Sequence, residues 1–312
     1  MSGLIHITPS TDELSTVTCL QLYLGTKSDC RRAGMLIERM QHMTSLAIHL
    51  DEERLPKSLG SGYEGSGLAV IRTLFIGKTL ARRCPNLKAL RLESMWFSSA
   101  GDVLPTLLDL GRLEHLQLSG CNETNRLYES LAPLQLKLTS FTDELSCNGH
   151  YLRNLPAGSQ SSSSAFLSSL KGIQKFRLRG TPCDSGIETF DWAALASNAS
   201  SIRALEMTDH RGNGPFSKVT STLLQGTALP GFRALCENAT HLQQLSMCGP
   251  EVDSSDWNSA HGLQVLIVRH SFISFRTHLL TRITGLSAQV ATAEVLETCH
   301  QPQVFCYGLR RH

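Results

Sequence analysis

The sequence predicts an α/β fold of the solenoid kind, with parallel strands on a concave face and helices on a convex face. Three observations predict it. A Leu-x-x-Leu-x-Leu pattern recurs along the chain in varied form. Most recurrences lie 21–29 residues apart, enough for one strand, one helix and their turns. Between several of them, apolar residues fall at helical rather than strand spacing.

The clearest copy is Leu113-Glu114-His115-Leu116-Gln117-Leu118-Ser119-Gly120-Cys121, which fits L-x-x-L-x-L-x-x-[N/C]. Anchored on the fourth position, the copies fall at Leu20, Leu46, Leu90, Leu116, Phe141, Phe176, Leu205, Leu245 and Leu266. Successive strand residues point to opposite faces, so positions four and six turn inward while three, five and seven turn outward. One strand–helix unit cannot bury its apolar side alone, and stacking neighbours makes a continuous core. Strands sit ~4.8 Å apart while helices need ~8–10 Å, and that mismatch would bend the array with strands inside the curve.

In chain order, residues 1–16 are expected to form an N-terminal edge or cap, with a starting strand within Gly3–Thr8. Irregular repeats should fill residues 17–273, and residues 274–312 should form a C-terminal cap, helical over Ser274–Cys299 with an edge strand at Val304–Tyr307. Repeats one and two, at Val17–Leu24 and Met43–Leu50, superpose without a gap. Between them Ala33, Leu36, Ile37 and Met40 mark a helix face. A second helix is expected over Leu68–Arg83, stopped at Cys84-Pro85 because proline disfavours a helical residue before it. Repeat five is open to two readings. Either Leu138, Phe141 and Asp143 point inward, or Leu134, Leu136 and Leu138 do. Ile187–Ala199 reads as a helix with Trp192 and Leu195 inward. Three insertions interrupt the period, near residues 51–67, 156–164 and 211–216, the second rich in serine and the third in turn formers.

Composition limits function. The hydrophobic share is 41%, the charged share 18% and the net charge +2, which is globular and nearly balanced. Such balance gives no reason to expect general attraction to nucleic acid or membrane, although a local basic patch is compatible with it. The first residues lack a signal peptide's basic and apolar regions, and Leu68–Ala81 is too short and too charged to span a bilayer, so an intracellular location is expected. Ten cysteines are scattered without C-x-x-C spacing, which points to reduced, mostly buried thiols and to no metal site.

The segments Leu87–Leu92, Leu113–Cys121 and Leu242–Met247 resemble the leucine-rich-repeat superfamily, in particular its longer, helix-containing ribonuclease-inhibitor-like and fungal F-box-associated members. The resemblance covers about Val17–Val268 and implies protein binding on the concave face. For the F-box-associated members it further implies a substrate arm of a ubiquitin ligase working through a Skp-type adaptor. With the first repeat beginning near Val17, no three-helix F-box of ~40–50 residues is expected in this stretch, and such an arm would have its F-box missing or supplied elsewhere.

The outward strand positions are therefore the candidate partner surface: Tyr23, His49, Arg91, Glu93, His115, Gln117, Lys175, Arg177, Arg179, Glu206 and Arg269. Lys175, Arg177 and Arg179 would make a basic row suited to an acidic partner, or a solvated face balanced by Glu93 and Glu206. No enzyme is expected. Gly60–Gly65 reads G-x-G-x-x-G, but acidic residues and Pro56 precede it where a buried strand should lead in, and Glu93 is 33 residues past Gly60 against an expected ~20. It reads as a surface loop. G-x-S-x-G, H-E-x-x-H and Walker patterns are absent, so the expectation is a non-enzymatic scaffold with no cofactor, whose protein partner is unidentified.

Overall fold

The computed structural model describes residues 16–40, 42–51, 66–75, 84–97, 101–145, 162–180, 192–209, 234–235, 238–248, 265–269 and 304–308. The fold is α/β with parallel strands joined through helices. The chain forms two compact units: residues Met1–Leu116 with Gly120–Leu136, and Gln117–Ser119 with Lys137–His312.

In the first unit, β1 (Cys19–Leu24), β2 (Ser45–Leu50) and β3 (Ala89–Glu93) run parallel, each beside the next. The anchors are direct neighbours, Leu20 opposite Leu46 and Leu46 opposite Leu90. The next inward row is Leu22, Ile48 and Leu92. Each strand begins on the same backbone pattern. The amides of Thr44 and Ser45 donate to Thr18 O at 2.8 and 3.0 Å, and those of Lys88 and Ala89 donate to Thr44 O at 2.8 and 3.0 Å. The amides of Glu114 and His115, where β4 (His115–Cys121) starts, donate to Lys88 O at 2.8 and 2.9 Å. At the end of β4, the Cys121 thiol donates to Leu92 O in β3 at 3.3 Å, so this cysteine meets a neighbouring strand's carbonyl.

The first helix of this unit forms because its start is capped and one side is apolar, and the helices after it bury an apolar side. Helix α1 (Lys27–Arg39) starts at Thr26, whose hydroxyl accepts from the Asp29 amide at 3.1 Å, while the Asp29 carboxylate accepts from the Gly25 amide and the Thr26 hydroxyl. That satisfies backbone donors left open in the first turn. Cys30, Ala33 and Ile37 are buried on its inner side. Helix α2 (Ser66–Phe75) buries Val70, Ile71, Leu74 and Phe75 and packs on α1. Gly34 lets the two backbones approach, for a Cβ there would lie 3.0 Å from Thr73 O. The short helix α3 (Leu104–Leu107) and α4 (Asn125–Leu131) complete the layer without a side-chain cap at either start, α4 burying Leu127, Tyr128 and Leu131.

In the second unit β5 (Ser140–Leu145), β6 (Lys175–Gly180), β7 (Ala204–Asp209), β8 (Gln244–Cys248) and β9 (Val265–Arg269) run parallel. Phe141, Phe176, Leu205, Leu245 and Leu266 are successive register partners. The last strand, β10 (Val304–Gly308), pairs antiparallel with β9 where an edge strand was expected. Helix α5 (Ser162–Ser169) sets Phe166 edge-on to Phe141 at 5.4 Å, and α6 (Trp192–Ala196) buries Leu195 completely. Asn198 is 2% exposed and bridges two turns, its amide donating to Leu170 O at 3.1 Å and its oxygen accepting from the Gly172 amide at 3.0 Å.

Three expectations are settled or corrected. Repeat five takes the Leu138, Phe141 and Asp143 reading. Leu138 and Asp143 are buried, whereas Leu134 is 40% exposed in a 3-10 turn, where it can make no inward row. The serine-rich insertion near residues 156–164 does not run to its expected end, because Ser162–Ser164 are the first turn of α5. The helix expected over Ile187–Ala199 is α6 alone among the described residues, followed by a 3-10 turn at Ala199–Ser201. Gly3–Thr8, the Gly60–Gly65 loop, residues 76–83, the insertion near 211–216 and the expected helices of 274–299 lie outside the described residues.

Candidate interaction surface

Strand alternation decides which side chains can meet a partner. In β2, Leu46, Ile48 and Leu50 are buried, while Ala47 and His49 turn to the other face. The registers then line up outward residues across strands: Gln21 with Ala47 and Arg91, and Tyr23 with His49 and Glu93. The sequence placed Tyr23, His49, Arg91 and Glu93 on one outward face without pairing them, and the structure joins them. The Tyr23 and His49 rings lie 5.4 Å apart at 53°. His49 Nδ1 is 2.7 Å from Glu93 Oε2, and since a carboxylate only accepts, that nitrogen carries the proton of the hydrogen bond. Arg91 donates to the other Glu93 oxygen, and Gln21 donates its amide to the Tyr23 hydroxyl.

Glu93 thus has a cation on one side and an imidazole on the other, and its side chain is 17% exposed. Both of its carboxylate oxygens accept a hydrogen bond inside the cluster. Tyr23, 69% exposed, and about half of the Arg91 side chain face solvent most. Tyrosine and arginine beside a satisfied carboxylate have the composition of an interface anchor.

His115 is exposed at the start of β4, and Gln117 is half-buried, donating to the Ser119 hydroxyl at 3.1 Å. Just ahead of β4, Lys88 pairs with Glu114 at 2.9 Å. The hydrogen bond from Lys88, followed by its charge, holds the Glu114 carboxyl below its usual range.

In the second unit, Lys175 and Arg177 are exposed on β6. They do not form a bare positive row, because Glu206 lies opposite Arg177 on β7 and its carboxylate accepts from Arg177 Nε at 2.5 Å. Arg179 and Arg269 occupy β6 and β9, and their side chains lie outside the described residues. Among the described residues no group of three or more His, Cys, Asp or Glu side chains is placed to hold a metal ion. No helix among them is long and apolar enough to cross a membrane.

Outward strand positions omit one set of side chains. The residue immediately ahead of β3, β4, β6, β7 and β8 is Lys88, Glu114, Gln174, Arg203 and Gln243 in turn. Its signal was present in the alignment of anchors, two residues before each. No family model matches the chain, and no curated protein is similar to it at a significant level.

Proposed function

We propose that the chain is a leucine-rich-repeat solenoid whose outward strand face holds a protein partner, without catalysing a reaction. One observation carries the reading. The registers of β1, β2 and β3 gather Tyr23, His49, Arg91 and Glu93 into a single cluster that leaves the tyrosine and the arginine facing solvent most. An exposed tyrosine beside an arginine is the pair of residue types that protein interfaces favour as anchors. The aligned anchors support the repeat architecture, since Leu20, Leu46 and Leu90 form one inward row as such repeats require.

Quantitative affinity purification of the full chain tests the proposal, comparing the unaltered protein with Tyr23→Ala/Arg91→Ala and with Arg31→Ala/Arg32→Ala on the exposed side of α1. The same partner should be retained by the α1 variant and depleted at least about tenfold by the open-face variant, a loss expected for removing two anchors. Equal recovery by all three proteins would refute the assignment of this face.

A further inference from the structure

Among the described residues, the exposed charges at the leading ends of the second unit's strands are positive. Lys137 lies in the approach to β5, Lys171 in the approach to β6, Lys175 opens β6, and Arg203 immediately precedes β7. All four side chains are exposed. Backbone hydrogen bonds fix their spacing. The amides of Gln174 and Lys175 donate to Thr139 O at 2.9 and 3.0 Å, those of Arg203 and Ala204 to Gln174 O at 2.8 and 3.0 Å, and those of Gln243 and Gln244 to Arg203 O at 2.8 and 2.9 Å. Gln174, Arg203 and Gln243 therefore occupy the same place on successive strands, one strand spacing of ~4.8 Å apart.

Among the acidic side chains of this unit whose burial is described, none is exposed. Of those described in the unit, Asp143 and Glu206 are buried, and Glu206 is held by Arg177. Glu144 is half-buried. Exposed Gln174 and Gln243 flank the cations and offer both donors and acceptors.

We propose that this rim binds an acidic, extended segment of a partner protein, a run containing several Asp or Glu residues lying across the leading ends of β5 to β8. The inference rests on the binding-scaffold reading and supplies the partner's chemistry at a second set of residues. Carboxylates would pair with Lys175 and Arg203, and the glutamine amides would meet the segment's peptide groups. Single-stranded nucleic acid fits less well, since it also needs aromatic platforms for its bases. The large exposed apolar side chains among the described residues are Tyr23, Met35 and Leu134, and none belongs to this unit.

The experiment uses the full chain and a fluorescent synthetic peptide of alternating Glu and Gly, followed by anisotropy, with a Gln-for-Glu peptide and a single-stranded oligonucleotide of equal charge as comparisons. The acidic peptide should bind and the Gln peptide should not. Affinity should fall several-fold between about 50 and 200 mM salt, as expected for attraction between exposed charges that added salt screens. Lys175→Glu/Arg203→Glu should weaken it at least about tenfold, and Arg31→Glu on α1 should leave it unchanged. If charge reversal unfolds the protein, Lys175→Gln/Arg203→Gln removes the charges without reversing them and should also weaken binding. Failure of the acidic peptide to bind, binding indifferent to Lys175 and Arg203, or tighter binding of the oligonucleotide would overturn the proposal. Retention of a partner through Tyr23 and Arg91 alongside any of those results would leave the scaffold reading standing, so the two failures are separable.

Discussion

Cys30 shows how burial sets the chemistry of one side chain. It is fully buried on the inner side of α1, and desolvation, followed by the negative charge of Asp29, pushes its thiol from 9.0 up to about 11. Between those values an unfolded chain releases the proton and the folded chain keeps it. The contribution of Cys30 to stability is therefore complete below about 9 and is lost as the pH rises through about 11. A thiol that stays protonated is a poor nucleophile. Alkylation of the native protein at about pH 8, followed by peptide mass spectrometry, should modify exposed Cys19 and spare Cys30 until the chain is unfolded. Equal labelling of the two in the native state would contradict this placement. The scattered cysteine spacing already implied small buried residues, and Cys30, Cys84 and Cys121 are buried, but Cys19 is exposed at the first residue of β1. A cysteine on an outward strand position reads the same in sequence as one on an inward position until the register is known.

Elements form where local signals and packing agree, and they escape sequence reading where only packing speaks. Leu46, Ile48 and Leu50 announce a strand by their alternation, and the structure uses them as read. Ser162–Ser164 look like a linker by composition, yet Phe166, Leu167 and Leu170 follow at helical spacing and fill the core beside Phe141. Packing overrides composition there. Asp143 was the obstacle to reading β5, because a carboxylate in an inward row argues against a strand, yet Phe141 opposite Phe176 fixes the register. The pairs His49–Glu93 and Arg177–Glu206 each join residues at the same offset from their anchors, so the alignment implied them. Turn backbones were less legible. At Gly101 a Cβ would lie 2.3 Å from Leu127 N and 2.6 Å from Arg126 C at the start of α4, a close approach that no local pattern announces. Gly101→Ala should therefore lower stability by about 1–3 kcal/mol through forced backbone movement. Gly111→Ala, where the nearest atom is Asp109 Oδ1 at 3.4 Å, should stay within about 0.5 kcal/mol. Urea midpoints of the two variants decide it, and equal midpoints would contradict the packing of α4 on that turn.

At the scale of the whole molecule, a net charge of +2 conceals an uneven distribution. The described part of the second unit exposes Lys137, Lys171, Lys175, Arg177 and Arg203, whereas Asp143, Glu144 and Glu206 are buried or half-buried. Balanced composition therefore limits general attraction to polyanions without removing a local preference. Both proposed surfaces depend on the same physical fact: parallel strands in a fixed register set equivalent residues of successive strands side by side. The row Gln21, Ala47 and Arg91 tests that fact most directly. Cysteines placed at Ala47 and Arg91, treated with a thiol cross-linker of ~5 Å reach and mapped by mass spectrometry, should be joined, because adjacent strands are about 4.8 Å apart. Cysteines at Ala47 and Arg31, the latter exposed on α1, should not be. Absence of the 47–91 link, or an equal yield of the 47–31 link, would contradict the outward row and the docking face built on it.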